Sequence, residues 1–174
     1  MTIAQPRTLE CESLGRAMGE SSGSIPGPNQ PLEERLLFLQ ENMVNFVNQY
    51  DLPVVEVALV ISKYIRIITS QLQNAAEESG EDLPTSLLEP WPIDSEGELP
   101  RIDSFPLERV LDSVDQDRME IFDTIIRTIL NETEMPFVSS ITVLRDWESK
   151  VRIQLSESTS PGHLFSPMKL PDGF

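Results

Sequence analysis

One cysteine, Cys11, and one histidine, His163, are all that this 174-residue chain has of the two residue types that most often build redox and metal sites. A lone cysteine excludes an intramolecular disulfide and leaves no basis for a cysteine-held metal. His163 lies in a Pro-Gly tail that offers no fixed geometry for activating a nucleophile, so it reads as a solvent-exposed histidine rather than a catalytic one. There is no Gly-rich phosphate loop and no calcium-loop spacing. The Glu-x-x-His pairs with which helical bundles hold two metal ions are also missing. Glu120 and Asp123 come nearest to a carboxylate pair at helical spacing, and they read as part of a solvated helix face. The expectation is a non-enzyme with no catalytic residues, no cofactor and no metal.

Basic residues are few. Thirteen Lys and Arg against 29 Asp and Glu give a net charge of −16 and a pI near 4.3. The bases are scattered, so direct nucleic acid binding through displaced counterions is not expected. Aromatic content is 6% and hydrophobic content 39%, which suits one domain with less structured ends. Long apolar runs are absent. The longest in the central region, Val57-Ala58-Leu59-Val60-Ile61, falls far short of the ~20 residues that a membrane span needs. Residues 1–30 carry no apolar leader segment. A soluble, intracellular, cytoplasmic chain with no membrane contact is expected.

What is present is organised around residues 32–78. Leu32, Leu36, Leu39, Met43, Phe46 and Tyr50 alternate four- and three-residue steps, which keeps one seam on one face of a helix. Leu37, Phe38, Val44 and Val47 widen that face, as if for more than one neighbour. After Asp51-Leu52-Pro53 the rhythm returns in Val54, Ala58, Ile61, Ile65, Ile68, Leu72 and Ala75. The β-branched residues Val55, Val57, Ile65, Ile67 and Ile68 would suit a strand. The helical period and a length of over 20 residues exclude one. The two arms are predicted to form an antiparallel hairpin, with coiled-coil character, that stops near Gly80.

Residues 1–30 have the Ser, Gly and Pro content of a disordered tail. Residues 79–104 form an acidic, proline-punctuated connector. Between Glu77 and Asp103 nine carboxylates face one base, Arg101. Leu87, Leu88, Trp91 and Ile93 sit among them, and a solvated linker has no use for a tryptophan. Trp91 is either folded back onto the bundle as an anchor or held out for a partner.

Helices are predicted over 105–131 and 138–155. The first starts at Ser104-Phe105-Pro106 and is either kinked or divided at Asp115-Gln116-Asp117-Arg118, with Asp117 and Glu120 as a capping box for the restart. The second follows Pro136, with Ser139 or Ser140 as cap. The alternation of Val151, Ile153 and Leu155 keeps a strand open as its competitor. Residues 156–174 read as a flexible tail, apolar enough in Leu164, Phe165, Met168, Leu170 and Phe174 to dock on its own bundle or on a partner.

The stretch Leu39–Ile68 resembles the small helical-hairpin phosphatases of sporulation response regulators. Where that family carries Ser-Gln-Glu-Leu-Asp, this chain has Ser62-Lys63-Tyr64-Ile65-Arg66. The resemblance implies a hairpin but not the activity, because Arg66 stands where the acidic residue is needed.

The expected fold is all-α: a long helical hairpin packed with one or two further helices into a small bundle. The expected function is a protein–protein interaction module such as an adaptor, assembly factor or small regulatory subunit. Its contact residues would be Leu87, Leu88, Trp91 and Ile93 of the connector and Leu37, Phe38 and Val44 of the first arm. The partner is another protein, with a homodimer through the hairpin as one form. The alternative is an acidic mimic or inhibitor that occupies a basic or nucleic-acid-binding surface of another protein.

Overall fold

The computed structural model describes residues 23–94 and 107–174. Among these residues there are α-helices but no strand. We label them α1 (Leu32–Gln49), α2 (Val54–Ser79), α3 (Thr85–Leu88), α4 (Leu107–Ser113), α5 (Gln116–Glu132) and α6 (Phe137–Ser156). A 3₁₀ turn, Pro161–Phe165, follows. The expectations for Cys11, Ser104-Phe105-Pro106 and the acidic residues from Glu96 to Asp103 fall outside the described residues.

The two long turns are built alike. Beyond the end of α1 Asp51 takes a left-handed φ of 47°, and the N–H of Leu52 closes back on the Val47 carbonyl at 3.0 Å. Beyond the end of α5 Glu134 takes the same φ, and the N–H of Met135 returns to the Leu130 carbonyl at 3.1 Å. In each turn the next residue is a buried apolar side chain, Leu52 or Met135. A proline, Pro53 or Pro136, then opens the following helix, where an N–H is not needed. α1–α2 and α5–α6 are therefore two hairpins with one turn design.

The hairpins interlock. The most extensive helix–helix packing is of α2 on α6 and of α1 on α5, followed by α2 on α5 and α1 on α6. Each arm packs more closely on the other hairpin than on its own partner. The wide apolar face of α1 is explained by this: Leu39, Met43, Phe46 and Val47 are buried, and Phe38 and Val44 are partly buried against the same core. The core runs through the Phe46, Phe122 and Trp147 rings, with centroids 5.6 and 6.5 Å apart in sequence along that line.

α2 ends at Gly80, with φ 67°, where the Glu81 N–H reaches the Ala76 carbonyl at 2.9 Å. A Cβ there would meet nothing within 4 Å, so the cost of one is conformational alone. Gly80→Ala is expected to lose about 1–2 kcal/mol in chemical denaturation. A loss near zero would mean that the last turn of α2 frays freely.

Two predicted caps are corrected. α5 is capped by Asp115, whose carboxylate accepts from the Arg118 N–H at 3.0 Å. Asp117 and Glu120 form no capping box because both already lie inside the helix. α6 starts at Pro136 without a side-chain cap, and the Ser140 hydroxyl instead donates to the Pro136 carbonyl at 3.0 Å. Residues 138–155 are helix throughout, and the predicted 105–131 segment is two helices in its described part.

Residues 156–174 dock on their own bundle. Met168 enters the main core, and Leu164 and Phe165 pack on a smaller cluster of Val55, Val110 and Val114 that holds α4.

Candidate functional site

α2 and α5 lie side by side and run the same way, since Glu56 of α2 bonds Arg118 of α5, and further along Lys63 and Tyr64 bond Asp123. Their seam is open along two sections that share Arg127. The first section, about 400 Å³, is polar, with Lys63, Gln116, Glu120 and Asp123 on its walls. The second, about 430 Å³, is mainly apolar and lies between Tyr64, Ile67 and Ile68 of α2, Leu130 and Met135 of the second hairpin, and Phe137 at the start of α6. Its surroundings hold the least covered large side chains on these helices. Ile67 is 46% exposed, and Phe137 and the adjacent Val138 are 50% exposed each.

Charges in the seam are partly matched. Lys63 Nζ bonds Asp123 Oδ1 at 2.5 Å, and Arg127 approaches the other oxygen at 3.9 Å. The Tyr64 hydroxyl donates to the Asp123 carbonyl at 2.9 Å. Burial, with the Asp123 carboxylate beside it, holds that phenol well above its ordinary pKa, so Tyr64 stays a neutral donor. Among the described residues Glu120 and Glu134 have no cation within 4 Å, which leaves each section with one unmatched carboxylate.

Next to the seam Glu56 is completely buried in the first turn of α2. Arg118 grips it with two bonds of 2.7 Å, from Nε to Oε2 and from Nη2 to Oε1, and the Asp115 N–H adds a third at 2.9 Å. This clamp fixes the start of α5 on the start of α2 and so sets one end of the seam.

The predicted contact residues fall in two separate places. The connector is fastened to α6: Arg145 donates to the carbonyls of Leu87 and Leu88, Arg152 to that of Trp91, and the Trp91 indole N–H turns inward to the Ser86 carbonyl at 2.9 Å. Leu87, Leu88, Trp91 and Ile93 are half-buried there. On α1, Leu37 is 57% exposed, while Phe38 and Val44 turn to the core. The helical period groups Phe137 with Ile141, Leu144, Val151 and Leu155 as the apolar face of the last helix and passes over Ile67, and the structure leaves both half-exposed. Their signal was available: Ile67 lies off the α2 seam beside Ile68, and Phe137-Val138 directly follow a helix-opening proline.

Among the described residues no three His, Cys, Asp or Glu converge as for a metal ion, and no helix is long and apolar enough to cross a membrane. Comparison with known protein families, with curated proteins and with solved structures yields no match to this chain.

Proposed function

We propose that this chain is a non-enzymatic protein-interaction module, of the adaptor or assembly-factor kind, that seats an amphipathic helix of another protein in the α2–α5 seam. The observation that carries this reading is the half-exposed pair Ile67 and Phe137 lining an apolar groove. A bound helix would lay residues spaced i, i+3, i+4 and i+7 into the apolar section. Basic residues on its flanks would meet Glu120 and Glu134. A second copy of this chain is the less favoured occupant, because two chains of charge −16 repel.

The test uses a fluorescent 14-residue amphipathic Leu–Lys peptide and anisotropy. Ile67→Asp and Phe137→Asp are each expected to weaken binding at least tenfold, with helix content by circular dichroism unchanged. Equal binding to both variants would defeat the groove reading. If binding ignores both variants but collapses as salt rises, the acidic-mimic reading takes its place. Light scattering that shows a dimer sensitive to Phe137→Asp would make the occupant a second copy.

A further inference from the structure

The chain from Ser166 to Lys169 is held along both of its backbone edges. On one edge the Val54 N–H donates to the Ser166 carbonyl at 2.9 Å and the Met168 N–H donates to the Leu52 carbonyl at 2.7 Å, an antiparallel bridge onto the α1–α2 turn. On the other edge a single side chain on α6 reads the intervening groups. Gln154 Nε2 donates to the Pro167 carbonyl at 3.0 Å, and its Oε1 accepts from the Lys169 N–H at 2.8 Å. Between these rails Met168 is buried in the core. Further on, the Phe174 ring meets Trp147 edge-on at 5.1 Å, with Lys150 Nζ 5.3 Å from its centroid. Backbone bonds that tolerate any sequence, alternating with pockets that select side chains, are the way sheet edges bind extended peptides.

We propose that this groove is a peptide-binding site for an extended Pro-Met-x-Leu segment followed by an aromatic residue. The chain's own residues 166–174 fill it, and the same segment of a second copy can exchange into it. This stands apart from the α2–α5 seam and does not depend on it. Three observations support exchange. The segment forms no α-helix, and its only regular pairing is one isolated bridge. It joins α6 through residues 157–165, which include the 3₁₀ turn Pro161–Phe165. Residues 158–174 carry one acid and one base, Asp172 and Lys169, so the segment itself adds no net charge to the groove that it enters. The tethered copy competes at an effective concentration in the millimolar range, so exchange needs the tethered copy to be displaced.

The experiment uses the full chain and a labelled synthetic peptide of residues 160–174. Met168→Asp in the full chain disables the tethered copy. The peptide is expected to bind this variant at least tenfold more tightly than the unaltered chain, and adding Gln154→Ala is expected to abolish the gain. No gain on a folded Met168→Asp variant overturns the proposal. If that variant unfolds, amide exchange on the unaltered chain decides. The Val54 and Met168 amides should exchange at least 100-fold faster than those of Ile61 and Ile126. Exchange at the same rate would make the segment an inseparable part of the core and overturn the proposal.

Discussion

Arg118→Ala is expected to lose about 3–5 kcal/mol, because it leaves the Glu56 carboxylate buried with only the Asp115 N–H for a partner. For a domain whose total stability is typically about 5–15 kcal/mol, this is a large share. Tm should fall on the order of 10 °C. The size of the loss reflects the stranded charge rather than the value of the pair. Replacing both residues, as in E56M with R118M, should therefore recover most of it, since an apolar pair of similar volume leaves no charge behind. Arg118→Lys should fall between, because an ammonium cannot make the two parallel bonds that the guanidinium makes. Equilibrium denaturation in urea measures all three. An Arg118→Ala loss below about 1 kcal/mol with an unchanged m-value would show that water reaches Glu56 and that the clamp is not sealed.

Trp147→Ala should cost a similar amount, about 3–5 kcal/mol, through a different cause. Trp147 is completely buried and is the largest side chain at the centre of the bundle. Its ring touches the Phe122 ring of α5 and the Phe174 ring of the C-terminal segment, and its N–H donates to Gln40 Oε1 at 2.7 Å. Alanine removes those contacts, opens a cavity where three elements meet, and leaves the Gln40 oxygen without its donor. Trp147→Phe keeps most of the packing and loses the hydrogen bond, so a loss of about 1–2 kcal/mol is expected. Trp91 remains as the fluorescence reporter in both variants. A loss under 1 kcal/mol for the alanine variant would mean that the C-terminal segment and α6 collapse into the space.

Much of this architecture is legible in the residues. Period alone separates helix from strand in α2, where the β-branched content points the other way, and Gly80 marks its end. Connector and tail are legible only as alternatives, because apolar residues in a polar segment do not say what they touch. Arg145 and Arg152 decide the connector by bonding its carbonyls, contacts about 60 residues apart in sequence that no local pattern reveals. The displaced caps have a local reason. Asp115 and Asp117 are both good N-cap residues, and only the observed start of α5 shows that Asp115 stands at N-cap, three residues before its donor. The open seam is the least legible feature. Ile67 and Phe137 have the composition of core residues, and their exposure depends on how α2, α5 and the start of α6 come together.

The interlocking of the hairpins bears on how the chain reaches its native state. A simple helical hairpin gains most of its contacts locally and forms early. Here neither hairpin has much to gain from closing on itself. The stabilising contacts join distant parts of the chain: Arg35 with the Thr133 carbonyl spans 98 residues, and Gln40 with Trp147 spans 107. Loop closure must precede the reward for it, so this bundle should collapse in a single late step and refold more slowly than its helix content suggests. The rate-limiting event would be the mutual threading of two half-formed hairpins, and substitutions in α5 should slow refolding as much as substitutions in α1.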